Sequence, residues 1–260
     1  MPTLYEHPLS PYAQKVKIAL REKNIPFEVK TPDGIGAGGA GGEFTRANPR
    51  AEVPALIDEG EGIFDSTIIL EYIEDKWPSP ALLPADPAAR AKQRMIEEIC
   101  DTQYEAINWG MGELLWFGRG GEAKDTILAH AKAQTEKLQG WLTRQLGDAD
   151  WFAGKNFGWG DLSAVPYVAA SIRFGFAPEK GSPLSNWLDR AMRRDSVAPT
   201  LAESETGAGD MGNIAELLEQ GLFKREYRDH RLEWMMRSGG VPVVLDGLEK
   251  GNIRYSYEIE

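Results

Sequence analysis

One cysteine, Cys100, stands in 260 residues, so no internal disulfide can form and no multi-thiolate metal site can be assembled. A lone thiol suits a reducing compartment, and a cytoplasmic location is expected. Histidine is almost as scarce. His7, His130 and His230 lie too far apart in sequence for a local metal motif, and no metal is expected. Positive charge is also short: 29 Lys and Arg face 40 Asp and Glu, a formal net charge of -11. Such a chain repels phosphate backbones, which argues against nucleic acid as a partner. No apolar run approaches the ~18 residues of a membrane span, so no membrane partner is expected. The first residues, MPTLYEHPLSPYAQ, lack the basic start and apolar stretch of a signal peptide. What remains is 42% hydrophobic and 27% charged, the composition of a globular chain with room for one large or two small domains.

The first 77 residues alternate strand and helix signals. Residues 3–7 read as a strand. Ser10 and Pro11 then supply an N-cap hydroxyl and a proline at the first helical position. Behind them Tyr12, Ala13, Val16, Ala19 and Leu20 form a stripe of helical period. Strands are expected at 26–29, 54–58 and 62–65, and a second helix from Ser66 through Ile69, Tyr72 and Ile73. This is the pattern of a compact α/β unit, residues 1–77. Pro78, Pro80, Pro84 and Pro87 mark residues 78–88 as a linker. Helical patterns follow at 88–117, 122–146, 159–174 and 184–194, so residues 89–204 read as an all-helical domain. Residues 203–213 are polar and glycine-bearing and read as a loop. Residues 214–237 read as a helix and 252–257 as extended. Residues 205–260 form a C-terminal extension.

The glycine patch at 34–42 contains a literal G-x-G-x-x-G at Gly34, Gly36 and Gly39. A dinucleotide fingerprint must open a helix whose amides hold the pyrophosphate. Pro49 would close that helix within about two turns, and further glycines weaken it, so a surface loop is the better reading.

Three other features belong together. Ser10-Pro11-Tyr12 lies between a strand and a helix, Val53-Pro54 leads into a strand within NPRAEVPAL, and Asp65-Ser66 opens the helix of DSTIILEYI. Each has a plain structural account alone: an N-cap, a proline on an edge strand, another N-cap. An X-Pro bond readily turns cis, which would present the backbone of Val53 outward. At these spacings the set resembles the glutathione transferase superfamily, over about residues 3–203, in its bacterial-type, serine-dependent form. Trp187-Leu188-Asp189-Arg190 with Arg194-Asp195-Ser196-Val197 is similar to the closing segment of that superfamily's helical domain. One departure stands out. The family's capping segment usually carries Ser or Thr three residues before Asp161, and this chain has Gly158.

The resemblance implies a thioredoxin-like N-terminal domain with an all-α C-terminal domain, and glutathione as co-substrate. The implied reaction is attack of a glutathione thiolate on an apolar electrophile. Two alternatives are glutathione-dependent cleavage of an aromatic ether or halide, and a non-catalytic binding or regulatory protein on the same fold. A free thiol is only a few per cent thiolate at pH 7. A hydroxyl at a helix start favours the anion through a hydrogen bond and the helix dipole, and Ser10 is the expected catalytic residue. Tyr5, Tyr12 and His7 are rival activators. Expected glutathione contacts are the Val53-Pro54 backbone for the cysteinyl unit, and Asp65 and Ser66 for the γ-glutamyl ammonium and carboxylate. Arg50 is the main candidate for the glycyl carboxylate, with Arg46 beside it, although Glu52 opposes an anion there. The second-substrate pocket is expected to draw on Tyr12, Trp109, Trp116 and Tyr255, with Met111 and Phe117 nearby. Tyr255 and Tyr257 suggest a lid, and Cys100 reads as a packing residue. The resemblance also implies a homodimer.

Overall fold

The computed structural model describes residues 1–33, 41–209, 214–222 and 230–253. Its N-terminal unit runs β1 (Thr3–Tyr5), α1 (Pro11–Glu22), β2 (Glu28–Lys30), α2 (Glu43–Ala47), β3 (Ala55–Asp58), β4 (Glu61–Phe64) and α3 (Ser66–Lys76). The sheet order is β2-β1-β3-β4, with β2 parallel to β1 and the other pairs antiparallel. This is the compact α/β unit expected from the strand and helix signals, in the thioredoxin-like form that the resemblance implies. The second strand begins two residues later than its apolar run, since Pro26 has no N–H to give a ladder. α2 was not anticipated. It buries Phe44 and Ala47 over a small cluster with Tyr5 and Ala55.

α1 follows its local signals. Ser10 Oγ accepts from the amide of Ala13 at 3.3 Å, and Pro11 occupies the first turn. Ala13, Val16, Ala19 and Leu20 are buried, as the periodic stripe requires. The opposite face is buried too, carrying Gln14, Lys15 and Lys17, because helices of the second unit pack against it. That side of the helix is polar and inside.

The helical unit contains α4 (Pro87–Ile99), α5 (Glu105–Leu115), α6 (Lys124–Leu146), α7 (Trp159–Arg173), α8 (Pro183–Ala191) and α9 (Ala198–Gly209). A π-helical turn, Cys100–Tyr104, joins α4 to α5, so the expected helix at 88–117 is one rod with a widened turn. α7 is the central pillar: Trp159, Leu162, Val165, Tyr167 and Val168 are all buried. Two expectations need correction. Residues 203–209 are the end of helix α9 rather than a loop, and residues 210–213 lie outside the described residues. The helix expected over 214–237 is interrupted. α10 (Ile214–Glu219) ends in a turn at Gly221, where φ is 71°, and α11 (His230–Arg237) resumes later. α12 (Val241–Glu249) then packs on α11, leaving Trp234, Val243 and Leu245 exposed.

The departure at Gly158 has a steric cause. The Asp161 carboxylate accepts from the amide of Gly158 at 2.9 Å, which completes one half of a capping box. A Cβ at Gly158 would stand 2.5 Å from the carbonyl oxygen of Leu82, the same oxygen that accepts from the amide of Trp159 at 2.8 Å. No Ser or Thr fits unless the linker moves away. Gly158→Ser is therefore expected to destabilise the protein by about 1–3 kcal/mol, although it restores the hydroxyl that the box lacks. Urea unfolding of the two proteins measures this, and a more stable serine variant would reverse the account.

Candidate active site

The sheet register collects the key segments at one end. Tyr5 pairs with Ala55, and Ala55 pairs with Phe64, so the three residues form one row across β1, β3 and β4. β1 leaves this row toward Ser10, β3 enters it from Val53-Pro54, and β4 leaves it into Asp65-Ser66. Three segments distant in sequence thus share one sheet end because of strand pairing alone.

Each carries the chemistry that its position allows. The Ser10 oxygen spends one lone pair on capping α1, and its O–H has no acceptor among the described residues. The first turn of α1 contains no acidic side chain, so the positive end of its dipole is unopposed. The Val53–Pro54 peptide is cis, as is Ser79–Pro80. Asp65 caps α3 by accepting from the amides of Thr67 (3.0 Å) and Ile68 (3.3 Å). Its φ of 74° lies in a region that non-glycine residues rarely adopt, a form of backbone strain concentrated at ligand sites. Asp65 is exposed and Ser66 behind it is buried.

The rival activators are otherwise engaged. Tyr5 donates its hydroxyl to Glu43 at 2.7 Å, and burial together with that carboxylate raises its pKa. Tyr12 donates to the backbone oxygen of Asp101 at 2.7 Å and meets the Tyr167 ring edge-on at 6.2 Å, which ties it to the interdomain contact. His7 accepts from the amide of Leu9 at 3.3 Å, and burial, with nearby Lys17, lowers its pKa. Arg50 is turned onto Glu52 at 2.5 Å, so its charge is partly neutralised before any ligand arrives. On α5, Trp109 is half-buried and Met111 fully buried. Trp116 packs on Phe174 with ring centroids 5.3 Å apart, and Phe117 is buried. Tyr255 and Tyr257 lie outside the described residues. Cys100 is fully buried in the π turn, and burial pushes its thiol well above the ordinary range, as suits a packing residue.

The structure also shows residues that motif reading missed. Lys15 is fully buried, and its Nζ bonds Glu97 at 2.6 Å and Asp101. Glu97 also accepts from Thr67 at 2.9 Å and from the Trp159 indole, while Asp101 accepts from Tyr167 at 2.7 Å. Burial by itself would lower the Lys15 pKa, but the two carboxylates reverse the effect and raise it. This cluster links α1, which follows Ser10, to the first turn of α3, which follows Asp65. The only signal in sequence was a lysine in a helix otherwise read by its apolar stripe.

A family model described as the N-terminal domain of glutathione S-transferase matches residues 4–81. Glutathione S-transferase U28 of Arabidopsis thaliana is 34% identical over 205 residues, covering 75% of this chain and 86% of its own. The chain belongs to the glutathione S-transferase family. A maleylacetoacetate isomerase of Pseudomonas aeruginosa is 32% identical over 179 residues, 67% of this chain and 83% of that protein. Among solved structures, rice GST1 in complex with glutathione superposes with a TM-score of 0.67 at 28% identity, covering 83% of this chain and 96% of that one. A glutathione S-transferase from Methylobacterium radiotolerans in complex with glutathione sulfonate gives 0.63 at 32% identity, over 76% and 93%. Within this family, then, the row of Tyr5, Ala55 and Phe64 marks the sheet end from which the candidate site is built.

Proposed function

We propose that this glutathione transferase activates the glutathione thiol with Ser10 and transfers the thiolate to an apolar electrophile. The observation that carries the reading is the Ser10 hydroxyl, which caps α1 with its oxygen while its proton has no acceptor among the described residues. A sulfur placed at that helix start would receive an O–H hydrogen bond and the positive end of the dipole, and both favour the anion over the thiol. Lowering the thiol pKa from ~8.5 to about 6.5 makes the thiolate the major form at pH 7 and is worth about 2.7 kcal/mol. Serine cannot form a mixed disulfide, which favours nucleophilic attack over disulfide exchange.

The remaining contacts follow from the ligand's own groups. Val53 offers a backbone edge to the cysteinyl unit, in the manner of an added strand. The γ-glutamyl carboxylate suits the start of α3 at Ser66, and its ammonium suits the exposed Asp65 carboxylate. Asp65→Ala is expected to weaken glutathione binding by at least about 1.5 kcal/mol, roughly tenfold, in calorimetry. Unchanged affinity would move the γ-glutamyl site elsewhere. The electrophile is assigned to the space beside α5 near Trp109 and Trp116. Mass spectrometry of glutathione adducts over a panel of apolar electrophiles, with aryl ethers and halides included, tests both the reaction type and the substrate class.

A two-fold dimer of like chains is the assembly we assign, the commonest closed form for a soluble protein. Light scattering at micromolar concentration should give twice 28.8 kDa, and a single-chain mass would overturn the assignment.

A further inference from the structure

Helix α9 packs on α1 through polar groups. Thr200, Glu203, Ser204 and Gly207 lie at i, i+3, i+4 and i+7, one face of the helix. They meet Arg21, Lys17, Gln14 and the Pro8–Leu9 segment in that order, so the two helices run antiparallel. Arg21 bonds Thr200 and, at 2.6 Å, Glu203. Lys17 bonds Glu203 at 2.7 Å and Glu6 at 3.0 Å. The far end of this seam reaches the loop that carries Ser10. The buried Gln14 donates from Nε2 to the carbonyl of Pro8 at 2.8 Å and to Ser204 Oγ at 3.2 Å. Arg173 also donates to Ser204 Oγ, at 3.2 Å.

Gly207 completes the contact. A Cβ there would stand 3.0 Å from Pro8 Cβ, tighter than such contacts normally are, and 3.7 Å from Leu9 Cγ, an ordinary contact. Alanine is the better helix former, so helix stability gives no reason for glycine at this position. Close approach to Pro8 does. Pro8 and Leu9 lead straight into Ser10, whose amide donates back to the His7 carbonyl at 2.8 Å, so the segment is a tight turn with little slack.

We propose that α9 positions the Ser10 hydroxyl, with Gln14, Ser204 and Gly207 as positioning residues that hold the Pro8–Leu9 segment in place. The inference rests on Ser10 as the thiolate activator. A hydrogen bond to sulfur is sensitive to small displacements of its donor, because its strength falls steeply with angle and distance. None of the three residues needs to touch glutathione for the thiol pKa to depend on them.

The test measures the pKa of enzyme-bound glutathione by ultraviolet thiolate absorbance, beside glutathione affinity and the pH profile of kcat/KM. Gln14→Met removes the donor at similar volume, and Gly207→Ala pushes on Pro8 while favouring the helix. Ala202→Gly is the control: it weakens the same helix at an exposed position away from Pro8. Both Gln14→Met and Gly207→Ala should raise the bound pKa by about half a unit or more and lower kcat/KM at pH 6.5 by about threefold to tenfold. Most of that loss should return at pH 9, with glutathione affinity within about twofold of the parent. Ala202→Gly should change neither pKa nor profile. If Gln14→Met does not fold, Gly207→Ala decides alone. A depressed wild-type pKa that neither variant moves would overturn the positioning role and leave Ser10 in place. So would a control variant that moves it equally. A wild-type enzyme that leaves the thiol at its free value removes the Ser10 reading and this one with it.

Discussion

Ser10→Ala should lower turnover at pH 7 by about tenfold to a hundredfold, since each pKa unit lost from the bound thiol is about 1.36 kcal/mol. Ultraviolet titration of the bound thiol should show its pKa rising toward ~8.5. Glutathione affinity should survive, because the γ-glutamyl and backbone contacts are assigned to other segments. Part of the rate should return at high pH, where solvent removes the proton unaided. The same substitution also deletes the cap to Ala13, so a stability loss of about 1 kcal/mol is expected alongside. The two effects separate cleanly, since the cap acts on unfolding and the O–H on the thiol pKa. Ser10→Cys should gain disulfide exchange and lose conjugation. A variant with unaltered bound pKa and turnover would remove Ser10 from the mechanism. The commitments of Tyr5 to Glu43 and of Tyr12 to Asp101 make neither a ready substitute.

Asp161→Ala should cost about 3–5 kcal/mol of folding stability, the largest effect expected of any single substitution described above. The carboxylate is fully buried and accepts three bonds: from Phe152 N at 3.1 Å, Gly158 N at 2.9 Å and the Trp187 indole at 2.8 Å. Alanine leaves all three donors buried without an acceptor. Burial pushes this carboxyl up to about 7, against the pull of the three donors and of the Arg194 charge. The sign follows from linkage. An acid whose folded pKa exceeds its unfolded value of ~3.9 contributes most below that value and loses the contribution as pH rises to the folded pKa. Wild-type stability should therefore decline relative to the alanine variant between about pH 4 and pH 7, by at most about 4 kcal/mol. Urea unfolding at pH 5 and pH 8 should show a larger difference between the two proteins at pH 5. Equal differences at both would show that Asp161 does not titrate in that window.

Apart from α2, the order of elements over the first 77 residues was legible without a structure, because its signals are local. Ser10-Pro11 starts a helix wherever it precedes an apolar stripe of period 3.6, and short apolar runs between turn residues make strands. The motif residues Ser10, Val53-Pro54 and Asp65-Ser66 could be named for the same reason, each sitting at a junction that sequence marks. Their common placement at one sheet end is a different matter. It follows from the register of Tyr5, Ala55 and Phe64, which is a pairing between segments fifty or more residues apart for the first two.

What tertiary structure decided is everything held by buried polarity. Helix α9 reads as a loop at its end because the face it buries carries Glu203, Ser204 and Gly207, and a period search that counts apolar residues passes over such a face. Lys15 lies off the apolar stripe of α1, and its burial is explained only by Glu97 and Asp101, which close on it from the helical unit. Gly158 reads as a weakened cap until the Leu82 carbonyl is found where a side chain would go. Hydrophobic burial is announced by the residue itself. The burial of a charge, an amide or a glycine is licensed only by the partner that meets it, and that partner is chosen by the fold.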